Sequence, residues 1–160
     1  MIDLIGFEYT EKDKWGFSNF FSFKDFKIVI GGDDGKNRKA VENKNVDILM
    51  GLENKSERDF MHSRNSGLNQ VLCNLAKKNG VGIGFCFRDV LKSKNRGLIL
   101  GRMMQNVKLC RKYKVKMMVF SGAKDENELK SARDIMSFGI VLGMTAGEAK
   151  KALSLEKRKG

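Results

Sequence analysis

Six short apolar runs, set apart by stretches rich in glycine, asparagine and lysine, set the frame for this 160-residue chain. They are residues 2–8 (IDLIGFE), 27–32 (KIVIGG), 46–51 (VDILMG), 81–87 (VGIGFCF), 115–120 (VKMMVF) and 139–143 (GIVLG). Most are continuous in hydrophobicity rather than alternating, the pattern of parallel strands covered on both faces. Helical patterns lie between them. Leu68, Val71, Leu72, Leu75 and Ala76 follow helical spacing, with Ser66 as the expected cap and Gly80 as the stop. Leu100, Met103, Met104, Val107 and Cys110 predict a helix over 95–114. Further helices are expected over 125–138, from Thr145 onward through the capping box Thr145-Ala146-Gly147-Glu148, and over 35–45. The Phe-rich segment 10–26 shows no clear period. Alternating strands and helices imply right-handed crossovers and one α/β domain over 1–154, followed by a basic tail over 155–160. Six units are too few for an eight-stranded barrel, so the sheet is either open or a curved, incomplete barrel.

Charge is the second constraint. Lysine and arginine number 31 against 19 acids, for a net charge of +12. Residues 88–116 hold ten bases (Arg88, Lys92, Lys94, Arg96, Arg102, Lys108, Arg111, Lys112, Lys114, Lys116) and one acid, Asp89. Local self-repulsion on this scale points to a polyanionic partner. On the helix from Asn95, Arg102, Lys108, Arg111 and Lys112 read as lying away from the Met103/Met104/Val107 seam, free to clamp phosphates. Asn95 and Arg96 stand at its start, where free backbone amides attract anions. The loop 59–67 (DFMHSRNSG) adds Arg64, a fork for phosphate, and Asn65 and Ser66, suited to ribose hydroxyls. Lys124 lies in the small-residue loop SGAK after VKMMVF.

Enzymatic chemistry finds little support. The chain has a single histidine, His62, where a metal phosphoesterase needs several histidines and carboxylates converging at strand ends. Asp33, Asp34, Asp47 and Asp59 could in principle bind magnesium, but no phosphate loop of either usual spacing is present. Cys73, Cys86 and Cys110 are odd in number, lack zinc-like spacing and read as small buried hydrophobes. No apolar run is long enough to span a membrane, and the first residues lack a signal-peptide pattern, so the expected location is the cytoplasm.

The stretch 62–76 (HSRNSGLNQVLCNLA) with VGIGFCF, NVDILM at 45–50, RMMQNVKLCRKYK at 102–114 and the segment 121–154 resembles, block by block and in order, the ribonuclease P protein component 3 family. That resemblance implies an incomplete TIM-like (β/α) barrel, related to phosphoesterases of the polymerase and histidinol phosphatase type but without most of their metal ligands. It implies a non-catalytic RNA-binding subunit. The RNA of ribonuclease P, with magnesium, would cleave precursor tRNA at the mature 5′ end. A Pop5-like protein of ferredoxin-like fold would be the partner, and no cofactor would be bound by this chain. Family RNA-contacting positions carry over to Arg64, Lys78, Arg111, Lys112, Lys130 and Arg133, and to Lys39 with Arg38 beside it. Together with the charge reading, the candidate RNA-binding set is Arg38, Lys39, Arg64, Asn65, Lys78, Lys92, Arg96, Arg102, Arg111, Lys112, Lys124, Lys130 and Arg133. Two departures stand out. The chain is expected to be shorter at its N-terminus by roughly two βα units, with the Phe-rich segment 15–26 or a partner subunit covering the exposed sheet edge. Gln70 replaces a histidine common in relatives. The alternatives left open are a metal-dependent phosphoesterase and a diverged RNA- or protein-binding module.

Overall fold

A computed structural model describes residues 1–11, 13–55 and 58–154. Four parallel strands run side by side in the order β3 (Ile28–Ile30), β4 (Ile48–Met50), β5 (Gly82–Cys86), β6 (Met117–Phe120). A second parallel pair, β1 (Ile2–Ile5) and β2 (Asn19–Ser22), stands beside β6. The join is made by Asp3. Its buried carboxylate accepts from Ser121 N (2.7 Å) and Ser121 Oγ (2.5 Å), while Gly122 N donates to Leu4 O and Gly6 N to Ala123 O. Burial raises the Asp3 pKa to about 6 against those hydrogen bonds.

Side chains alternate across the strands. Leu4, Phe21, Ile28, Ile48, Met50, Cys86, Met118 and Phe120, drawn from all six strands, meet in one interior cluster. Leu49, Ile83, Phe85 and Val119 face the helices. The sheet is therefore a curved, barrel-like wall closed on side chains within, and the expected incomplete α/β barrel is the fold observed. It does not close on its backbone. Among the described residues β2 and β3 pair on one side only, and Ile30 on the β3 edge is exposed. The interior is narrow because β5 presents glycine to it. A Cβ at Gly84 would lie 2.9 Å from both Ile48 Cγ2 and Phe120 Cε1. Replacing Gly84 with alanine is expected to cost about 1–3 kcal/mol through overpacking, read as a lowered thermal midpoint; an unchanged midpoint would show that the interior yields.

The helices α1 (Asp34–Glu42), α2 (Gln70–Asn79), α3 (Phe87–Lys92), α4 (Arg96–Tyr113), α5 (Ala132–Val141) and α6 (Ala146–Ala152) pack outside. Asn95 caps α4 by accepting from Leu98 N, and Thr145 with Glu148 forms the expected capping box of α6. Gly80 ends α2 at φ 68°, in the left-handed region. All three cysteines are free and buried, and burial pushes the Cys73 thiol up to about 11.

Several expectations are corrected. Residues 139–143 are not a strand. They form the end of α5 and its turn, with Phe138 and Leu142 buried and Ile140 and Val141 exposed. The helix expected over 125–138 begins only at Ala132, capped by a Ser131–Asp134 box. Asn69, not Ser66, caps α2, accepting from Leu72 N. The Phe-rich segment meets the β1 edge as a strand of the sheet rather than as a cover laid over it. It supplies β2, and Phe21, Phe23 and Phe26 plug the interior. The short α3 follows β5 directly, where the apolar run 81–87 gives no sign of a helix. The tail 155–160 lies outside the described residues.

Candidate nucleic-acid interface

Because the strands are parallel, every loop after a strand opens at one end of the barrel, and the chain returns to the other end before the next strand. The loop 51–69 after β4, the turn 93–95 after α3 and the loop 121–131 after β6 share the carboxyl end. Arg64, Lys92, Arg96, Lys124, Lys130 and Arg133 are carried there. An open cavity of about 800 Å³ at this end is lined by Asn54, Lys55, Asp89, Lys92, Lys94 and Asn95, among others. Lys78, Arg111 and Lys112 lie at the opposite end, at the ends of α2 and α4. There a groove of about 670 Å³ runs past Arg111, Lys114, Lys116, Glu148, Lys151 and Ser154. Arg38 and Lys39 occupy the exposed face of α1, Arg38 Nε lying 2.8 Å from Glu42. Fifteen residues of α4 separate Arg96 from Arg111, about 22 Å at helical rise. The predicted residues thus form two basic ends rather than one face.

The structure also shows where much of the charge goes. Glu128 sits between Arg88 (2.7 Å) and Lys92 (3.0 Å), and the Arg88 hydrogen bond, with those from Lys124 N and Lys92, holds its carboxyl at about 2. Glu148 takes both Arg111 Nε and Nη2, at 2.8 and 2.6 Å, and is likewise held at about 2. Lys130 turns its ammonium back onto the Glu128 and Leu129 carbonyls. Self-repulsion within 88–116 is therefore relieved from inside the fold, by carboxylates far away in sequence. Lys94, Lys108, Lys114 and Lys116 have no carboxylate partner among the described residues.

Two candidates are corrected outright. Arg102 is fully buried: its guanidinium donates to Asp59 Oδ1 (2.8 Å), Glu53 O (3.0 Å) and Lys55 O (2.9 Å). It cannot reach a phosphate at the surface, and its work is to hold the loop after β4. Asn65 is buried too, donating from its backbone to Asp59 Oδ1 and from its side chain to Arg58 O. Asp59 is partly desolvated, which raises its pKa, yet the Arg102 hydrogen bond and the Asn65 amide bring it below its ordinary value. Among the described residues no three of His, Cys, Asp and Glu converge to hold a metal. His62 is exposed in the loop.

Lys114, Lys116 and Lys151 were absent from the predicted set, although they line the amino-end groove. The signal for Lys151 was available. The capping box fixes Glu148 in the first turn of α6, and a residue three positions on shares its face.

A family profile described as RNase P subunit p30 matches residues 16–159. The chain belongs to this family. Among curated relatives, ribonuclease P protein component 3 of Methanosarcina mazei is 39% identical over 142 residues, covering 88% of this chain and 56% of its own length. That of Thermococcus gammatolerans is 33% identical over 139 residues, covering 86% of this chain and 61% of its own length. The p30-family chain thus spans somewhat more than half the length of these relatives. Its fold matches a chain in the cryo-EM structure of archaeal ribonuclease P with mature tRNA, at a TM-score of 0.72 and 21% identity, covering 96% of this chain and 87% of that one. Among the described residues no helix of the p30-family chain is long and apolar enough to cross a membrane.

Proposed function

We propose that this chain is a non-catalytic, RNA-binding protein subunit of ribonuclease P, acting in the cytoplasm. The observation that carries the reading is the family match running through residues 16–159, almost the whole chain. Its physics is electrostatic. Lys92, Lys94, Arg96 and Lys124 at the carboxyl end, and Lys112, Lys114, Lys116 and Lys151 at the amino end, offset phosphate repulsion in the folded RNA. The RNA, with magnesium, performs the cleavage of precursor tRNA. The chain moves no protons and binds no metal of its own. Recognition is of shape and backbone. The two basic ends leave room for a Pop5-like protein partner as well as the RNA.

The test is precursor-tRNA cleavage by the RNA subunit and partner proteins, with and without this chain, at limiting magnesium. Cleavage is expected to depend on the chain, and its affinity for the RNA to fall steeply as salt rises. RNA binding without any effect on cleavage would leave a diverged RNA-binding relative and overturn the subunit reading. Hydrolysis of a generic phosphate ester by the protein alone, lost on chelation, would make it an enzyme instead.

A further inference from the structure

The loop between β4 and α2 carries an apolar tip that packing does not account for. Phe60 is 63% exposed and Met61 91% exposed, and among the described residues neither joins a hydrophobic cluster. Side chains of this size gain more from burial than most, and adjacent pairs held in water are uncommon away from binding sites. A slack loop would fold them back onto the surface, but this loop is clamped at its base. Asp59 Oδ1 accepts from Asn65 N (2.9 Å) and from Arg102 Nε (2.8 Å), and Asp59 Oδ2 lies 3.2 Å from Arg64 Nη1. Gln105 on α4 grips Arg64 on both sides, accepting from its N (3.2 Å) and donating to its O (3.0 Å). Gly101 leaves space on α4 for the Arg64 guanidinium, where any Cβ would collide with it. Phe60, Met61, His62 and Ser63 therefore project from a fixed base.

Among the described residues, the charge exposed around the tip has one sign. Both oxygens of Asp59 are occupied by cations and the Asn65 amide. Among the described residues of this loop, the exposed charges next to the tip are Arg58 and Arg64. An aromatic face and a polarisable thioether flanked by two guanidinium groups match a flat, apolar ring attached to a phosphate chain.

We propose that this tip is a stacking platform for an unpaired nucleobase of single-stranded RNA, with Arg58 and Arg64 on the adjoining phosphates. The proposal rests on the RNA-binding reading above and specifies the kind of RNA element taken. A duplex hides its base faces, so the platform distinguishes unpaired from paired RNA without reading sequence. The clamp meets the ordering cost of the loop before the RNA arrives.

The experiment titrates the full chain against a labelled single-stranded oligouridylate and against an RNA duplex of the same length. Phe60→Ala is expected to weaken single-strand binding by about 5- to 100-fold, Met61→Ala by less, and Phe60→Trp to retain it. Duplex affinity and the salt dependence stay unchanged, because no charge is removed. Both positions are solvent-exposed, so an unaltered thermal midpoint accompanies these changes. Equal single-strand affinity in the parent and Phe60→Ala overturns the proposal, as does an equal loss on the duplex. If the parent binds both RNAs and the variants match it, only the platform falls. If the parent binds neither, the RNA-binding reading falls with it. An apolar protein partner lost on Phe60→Ala, with single-strand binding intact, assigns the tip to protein and also overturns the proposal.

Discussion

Replacing Arg102 with alanine is expected to lower the free energy of unfolding by about 3–5 kcal/mol, the cost of removing one partner from a buried ion pair. The side chain is 0% exposed and lies in the middle of α4. It gathers the Asp59 carboxylate and the Glu53 and Lys55 carbonyls onto one guanidinium. Alanine would strand all three. Each carbonyl left without a donor carries a desolvation penalty of about 1–3 kcal/mol, and the carboxylate more. Solvent entering the space would recover part of this, which keeps the total below the sum. Denaturant unfolding followed by circular dichroism measures it, as a shifted midpoint with an unchanged slope. A loss below about 1 kcal/mol would mean that the loop after β4 is held by something else. The same variant separates two views of this residue. A surface phosphate contact would show a lower salt slope and intact stability; a structural brace shows the reverse.

Arg102 also marks the limit of what the chain's pattern could disclose. A count of charge along 88–116 treats all ten bases alike, and nothing local distinguishes Arg102 from Lys108. What separates them is Asp59, forty-three residues away, together with two backbone carbonyls that no residue type announces. Glu128 and Glu148 escaped the count for the same reason. The strands that form the core of the sheet were legible because each is buried on both faces and so reads as unbroken hydrophobicity. Residues 139–143 satisfied that criterion falsely. Gly139, Leu142 and Phe138 are buried by helical spacing, while Ile140 and Val141 merely happen to be apolar on the exposed side of α5. Short apolar runs carry no period of their own, and the decisive clue was the Ser131–Asp134 cap upstream. The opposite error hid β2. Asn19–Ser22 is half-buried throughout and pairs only with β1, so it lacked the continuous signature. Of the candidate site, its basic character and its loops were legible. Its division between two ends of the barrel was not, because a count of charge along the chain takes no account of the length of α4 that separates them.

Glu53→Gln is expected to stabilise the protein at alkaline pH and to flatten its stability between about pH 5 and 8. Glu53 follows β4 at the barrel's carboxyl end and is 1% exposed, and neither carboxylate oxygen has a hydrogen-bond partner among the described residues. Burial raises its pKa from 4.5 to about 8; the neighbouring Asp89 adds to the rise and Arg102 opposes it. The sign follows from proton counting. The folded state keeps the proton through a range in which the unfolded chain has released it. The folded state is therefore favoured less and less as pH rises from about 4.5 to about 8, and the penalty is complete above that. A difference of this size corresponds to about 5 kcal/mol. Glutamine keeps the shape and cannot ionise. The parent and variant curves should then run close together near pH 5 and diverge toward pH 8.5, with the variant higher. Asp3, whose raised pKa gives the same sign at lower pH, is present in both proteins and cancels in the difference. Chemical denaturation at a series of pH values measures the divergence. Parallel curves would show that Glu53 is ionised in the folded protein at pH 7, with Arg102 close enough to outweigh its burial.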